Sequence, residues 1–124
     1  MSKKILVIDD EKLITDSLLK LLKRENYEVE IAHSGAKAFE LIKTNDFNLI
    51  ISDIRMPDMN GIEIIKNIRK YLKQKKKNAI PEILITGYAT QENMDEAEKL
   101  NVVDYIYKPF NINDLLNTIK KNIK

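Results

Sequence analysis

Residues 49–61 read LIISDIRMPDMNG. The segment opens as an apolar run of the kind that fills a doubly covered parallel strand, and it stops at Asp53. Pro57, Asn60 and Gly61 then supply turn chemistry that shapes a loop over the strand end. A buried strand that ends on a carboxylate is costly unless something at that end uses the charge.

Working outward, short apolar runs alternate with longer segments of helical period. The strand candidates are Lys4 to Asp9, Tyr27 to Ala32, Asn48 to Asp53, Glu82 to Thr86 and Val102 to Tyr107, each followed by a helix. That alternation predicts an α/β fold with a parallel sheet wrapped by helices. ILVI, LII and ILI are apolar on both faces, whereas YEVEIA alternates and VVDYIY carries Asp104. Strands one, three and four are therefore expected inside and strands two and five at the margins, which is the doubly wound order 2-1-3-4-5 of a three-layer flavodoxin-like sandwich. Helix one carries a stripe of Leu13, Ile14, Leu18, Leu21 and Leu22, and helix five one of Ile112, Leu115, Leu116, Ile119 and Ile123. Helix four, from about Thr90 to Leu100, offers only Met94, Ala97 and Leu100, and is expected to dock weakly and to move. Tyr27 and Tyr107 read as packing residues, and His33 as a solvated loop residue beside a Ser34 cap.

The 124 residues suit one domain spanning 1–124, with 44% apolar and 32% charged residues, and no cysteine for a disulfide or thiolate site. A formal charge of +2 is too balanced to imply nucleic-acid binding. No run is long enough to span a membrane, and MSKKILVIDD enters a strand directly; the cytoplasm is the expected location.

In the expected strand order the ligand crevice lies beyond the carboxyl ends of strands one and three, which close in IDDE and ISD. Asp9, Asp10 and Asp53 should meet there. Two carboxylates ~4 Å apart repel by about 4 kcal/mol at an effective dielectric near 20, so the trio calls for a cation, a shared proton or a lysine. An all-oxygen set without His or Cys suits a hard ion, Mg2+ above all, with Mn2+ as the alternative. Thr86 and Lys108 close the next two strands, adding a hydroxyl and an ammonium suited to phosphoryl oxygens. Nucleophile, ion, hydroxyl and lysine together make a site for forming an aspartyl phosphate.

VIDDE, LIISDIRMPDMNG, ILITGYAT and DYIYKPF resemble the response-regulator receiver (CheY-like) family of two-component signalling over the whole length. The resemblance implies that Asp53 is the phosphoacceptor, Asp10 a direct Mg2+ ligand, Asp9 an acidic partner holding the ion mainly through water, and Arg55 a ligand through its backbone carbonyl. It further implies Thr86 as the switch hydroxyl, Tyr105 as the switch aromatic, Lys108 as the phosphoryl contact before a cis Pro109, and Arg55 and Tyr88 as modifiers of phosphoryl lifetime. Partners would be a sensor histidine kinase or histidine phosphotransfer protein, and a downstream protein or an output domain missing from the chain, reached through the α4-β5-α5 surface. The domain would be a monomer or a phosphorylation-promoted dimer without nucleic-acid or membrane contact. It would not be an enzyme beyond its own phosphoryl transfer and autodephosphorylation. A Mg2+-dependent aspartyl-phosphate phosphatase and a phosphorylation-independent binding module are the alternatives. Arg55 stands where such phosphatases carry a second Asp. One departure from the family pattern is KYLKQKKKNAIPE, longer and more basic than usual, whose Lys73, Lys75, Lys76 and Lys77 read first as a solvated helix end.

Overall fold

The computed structural model describes residues 2–56, 60–87 and 91–124. Parallel strands β1 (Lys4–Ile8), β2 (Glu28–Ala32), β3 (Leu49–Asp53), β4 (Glu82–Thr86) and β5 (Asp104–Tyr107) form one sheet in the order β2-β1-β3-β4-β5. Between and after them run α1 (Lys12–Arg24), α2 (Gly35–Thr44), α3 (Gly61–Gln74), α4 (Gln91–Leu100) and α5 (Ile112–Asn122). The apolar central strands are covered on both faces, whereas the alternating β2 runs from exposed Glu28 to buried Ala32 at one edge.

Strand alternation divides the core. Val7, Ile51, Ile83, Ile85 and Ile106 face α1 and α5, packing on Leu18, Leu22, Leu115 and Ile119. Leu6, Ile8 and Ile50 face α2 and α3, and Leu84 joins Ile62, Ile65 and Ala97 beneath α3 and α4.

Three apolar side chains depart from the sequence reading. Leu13 is 85% exposed. At about 100° per residue it lies roughly 140° around the helix from Leu18, the middle of the buried stripe. Ile112, the first residue of α5, is 57% exposed. Tyr107, 63% exposed, points from the edge strand and does not pack; Tyr27, by contrast, rests against the core.

Helix α4 buries only Ala97 fully, with Met94 and Leu100 half-covered, as its sparse stripe suggests. Its C-terminal end is nevertheless tied. Arg69 on α3 donates to both carboxylate oxygens of Glu82 at 2.8 and 2.6 Å and to the Leu100 carbonyl at 2.7 Å. The fork matches the carboxylate geometry and also satisfies a terminal helix carbonyl. No helix of the described residues is long and apolar enough to cross a membrane.

The Glu82 side chain is 6% exposed and that of Arg69 is 36% exposed, so the two partners should not be equivalent on mutation. Arg69→Met strands a buried carboxylate and is expected to cost about 3 kcal/mol in chemical denaturation, whereas Glu82→Leu frees a guanidinium that can rehydrate and should cost roughly 1 kcal/mol. The double substitution should recover most of the Arg69→Met loss.

Candidate functional site

The sheet registers build the site. Ile8 pairs with Ser52, so Asp9 stands level with Asp53; Asp53 pairs with Ile85, and Thr86 pairs with Tyr107. Asp9 and Asp53 continue the face of Val7 and Ile51, and Lys108 continues that of Ile106. Three residues remote in sequence are thus delivered to the same side of the same edge.

Oxygens of Asp9, Asp10 and Asp53 lie within 4.8 Å of one another. Asp9 and Asp53 are buried and Asp10 is exposed. Lys108 Nζ sits among the carboxylates, 2.9 Å from Asp53 Oδ2, 3.0 Å from Glu11 Oε1 and 3.4 Å from Asp9 Oδ2. The other Asp53 oxygen accepts the Arg55 N–H at 3.2 Å, and Asp9 Oδ1 accepts the Glu11 N–H at 3.0 Å. Asp10, Glu11, Asp53, Arg55, Met56, Gly87 and Lys108 line an open crevice of about 380 Å³. A second cavity of about 370 Å³, between α2 and α3, shares no lining residue with this crevice and is lined by Phe39 and Tyr71 among others.

Burial raises the Asp9 carboxyl to about 6, aided by the charge of Asp53 and opposed by the Glu11 N–H and Lys108. For Lys108 burial works the other way, but the bonds to Asp53 and Glu11, and the charges of Asp53 and Asp9, outweigh it and hold the ammonium above the ordinary lysine range. One ammonium therefore serves three carboxylates, and it favours Asp53 and Glu11 over Asp9. The cluster has a surplus of hard oxygen donors that a divalent ion would relieve, so the residues fit Mg2+.

The loop after β3 brings the chain back against the site. Asn60 caps α3 by accepting the Glu63 N–H at 2.9 Å, and the Gly61 N–H reaches the Ile54 carbonyl at 2.6 Å. A β-carbon on Gly61 would fall inside the carbonyl oxygen of Asp53, which explains the glycine. Over Gly87 lies the stem of Lys108, 3.4 Å from where a β-carbon would stand. The Lys108–Pro109 bond is cis.

Thr86 is placed differently from the sequence reading. It continues the face of Leu84, not of Ile85, and its hydroxyl is 3.8 Å from Met94 Sδ on α4, turned from the acidic crevice. Tyr105 shares that face and is half-buried against the α3–α4 cluster; burial, then the Glu98 charge, raise its hydroxyl. His33 is exposed, but its Nδ1 lies 3.0 Å from the Asp9 carbonyl; since a carbonyl only accepts, that nitrogen carries the proton and ties β1 to the β2–α2 turn. Ser34 caps α2 as expected, accepting the Lys37 N–H. Glu11, third partner of Lys108, went unassigned in the sequence although VIDDE contains it. Pro57, Tyr88 and Thr90 lie outside the described residues.

Residues 5–120 match the response regulator receiver domain. The chain belongs to the response-regulator receiver family. The receiver is 37% identical to the CheY-like receiver domain protein of Methanospirillum hungatei JF-1, superposing with a TM-score of 0.88 over 98% of this chain and 93% of that one. It is 26% identical, at a TM-score of 0.82 over 98% of this chain and 68% of the other, to a Burkholderia pseudomallei response regulator solved with a phosphorylated aspartic acid, calcium ion and citrate. Among curated proteins it is 33% identical over 121 residues to the transcriptional regulatory protein CrdR of Helicobacter pylori (strain ATCC 700392 / 26695). That match takes in 98% of the receiver, which spans about half (55%) of the relative's length.

The native value of Asp9 lies above its unfolded value of 3.8, so this carboxyl's contribution to stability is whole below 3.8 and is lost as pH rises through about 6. In a chelating buffer Asp9→Asn should therefore be more stable to chemical denaturation than the wild-type receiver near neutral pH, by up to about 3 kcal/mol, and the gap should close on acidification. Gly61→Ala should cost about 1–3 kcal/mol in chemical denaturation by driving α3 off the end of β3.

Proposed function

We propose that the receiver is a phosphorylation switch in which Asp53 takes a phosphoryl group from a phosphohistidine of a sensor histidine kinase or phosphotransfer protein. The observation that carries this is the placing of the Lys108 ammonium 2.9 Å from one Asp53 oxygen, at the mouth of a crevice open to solvent. An Asp53 oxygen bonds to phosphorus as the P–N bond of the donor breaks, and the imidazole leaves with a proton. Lys108, already in reach, follows the charge onto the phosphoryl oxygens. Asp9, Asp10, Asp53 and the Arg55 carbonyl would hold Mg2+, or Mn2+, whose charge offsets that of the phosphoryl oxygens. Hydrolysis returns the carboxylate when water displaces it from phosphorus, and Arg55, which lines the crevice, and Tyr88 would set that rate. The reading draws support from the Burkholderia pseudomallei relative with its phosphorylated aspartic acid and calcium ion.

Transmission runs through Thr86. Its hydroxyl gives up Met94 and turns to the phosphoryl group, Tyr105 moves inward into the space beside it, and the α4-β5-α5 surface changes. Shifting such an equilibrium from 1:99 to 99:1 takes about 5.5 kcal/mol of preference for one state. Because Arg69 holds the C-terminal end of α4, the change should be greatest at its N-terminal end. The output is a partner protein or an attached output domain, reached from the monomer or from a dimer that phosphorylation promotes, in the cytoplasm and without direct nucleic-acid contact. The chemistry is confined to the receiver's own carboxylate, so it is no enzyme toward other substrates.

Incubation with Mg2+ and acetyl phosphate should add one phosphoryl group by intact mass, and none to Asp53→Asn. Labelling that survives the substitution, or multiple-turnover release of phosphate from phosphomonoesters, would refute the assignment.

A further inference from the structure

At the pole opposite Asp53, where the strands begin, the basic segment after α3 closes over a groove. Two adjoining cavities of about 440 and 490 Å³ share Leu72, Lys77, Ala79, Ile80, Pro81 and Lys124 as their lining. Lys76 and Asp46 extend the first, and Lys73 and Val103 extend the second. The floor is apolar, with Leu72 and Pro81 buried, Ile80 half-buried and Val103 46% exposed.

The walls carry Lys73, Lys76, Lys77 and Lys124, all exposed. Against them stand Asp46, whose 96%-exposed carboxylate is 3.8 Å from Lys77, and Glu82, which Arg69 already neutralises. A helix C-terminus accounts for Lys73, in the last turn of α3, and for Lys75, at its cap. Lys77 and Lys124 lie just past the caps of α3 and α5, so two separate helix ends bring their lysines to one groove. Lys76 is held at φ 55, a left-handed position where glycine or asparagine ordinarily ends a helix and where a lysine is sterically costly. The excess of positive charge is thus local, although the chain as a whole is nearly balanced.

We propose that this groove docks an acidic segment of a partner protein, its carboxylates on the lysine walls and its aliphatic side chains on the Leu72–Ile80–Val103 floor. Both the charge and the floor choose the occupant. A nucleic-acid strand would want exposed rings for stacking and free guanidinium forks, whereas the one aromatic residue lining the groove, Phe47, is buried and Arg69 is engaged. The acidic crevice of a second copy is itself concave and already holds Lys108 among its carboxylates, so it does not fit into a groove.

A synthetic peptide of alternating glutamate and leucine, titrated into 15N-labelled protein, should shift amides of Leu72, Ala79, Ile80 and Val103, with an affinity that falls as salt is added. Lys73→Glu/Lys77→Glu should weaken it by about tenfold while melting like the wild type. Asp53→Asn should bind unchanged, which keeps this result separate from the fate of the phosphoacceptor. A glutamine–leucine peptide and oligothymidylate should leave the spectrum still. The proposal is overturned by shifts confined to α4, β5 and α5, or by equal binding of the glutamine peptide, the oligothymidylate or the double variant. It is also overturned by self-association in sedimentation that the double variant abolishes, since the occupant is then a second copy.

Discussion

The receiver is organised around an unfavourable convergence, in which parallel strands deliver Asp9 and Asp53 to one edge and the loop adds Asp10. Their mutual repulsion is offset by Lys108, which reaches in after β5 and bonds Asp53 and Glu11 most closely. Asp9, buried and least served by that ammonium, bears the remaining cost, as its raised carboxyl records. The fold tolerates this because the rest of each strand is apolar and buried among Ile, Leu and Val side chains on both faces. A stable sheet thereby holds a charge arrangement that a cation and, in the proposed switch, a phosphoryl group would complete.

Strand alternation then separates the acidic cluster from the residues proposed to transmit its state. Asp9, Asp53 and Lys108 share the face of α1 and α5, whereas Thr86, Tyr105 and Tyr107 share the face of α4. Thr86 stands at the boundary, beside the site by register but bonded to Met94 by the direction of its side chain. That position is the one the proposed switch requires of a hydroxyl that exchanges one partner for another. The Arg69–Glu82–Leu100 linkage confines the freedom of α4 to the end nearest Thr86.

Much of this was legible in the residues. Apolar runs against alternating ones gave the strand order, and IDDE with ISD gave the acidic cluster, because parallel-sheet topology converts strand ends into neighbours. The direction of Thr86 was also within reach, since counting back to Leu84 assigns its face, but a strand-end residue invites attention to position before parity. Glu11 and the Arg69 fork were less accessible. Both depend on how long side chains cross between elements, which hydrophobic period does not encode. Leu13 lies off the buried stripe of its helix, and Ile112 is the first residue of its own.

The molecule is also electrically polar, with carboxylates where the strands end and lysines where they begin, although its formal charge is only +2. At the acidic pole Lys108 acts as resident counter-ion to a site suited to a divalent cation, and the rest of the mechanism follows from that tenancy. Calorimetric Mg2+ titration of the folded wild-type receiver and of Lys108→Ala tests it most directly. Loss of the competing ammonium should tighten Mg2+ binding by tenfold or more, because a divalent ion and an ammonium ~4 Å apart repel by about 2 kcal/mol even at the dielectric of water. Unchanged or weaker binding in Lys108→Ala would mean that the lysine and the ion do not share the carboxylates, and would contradict the account.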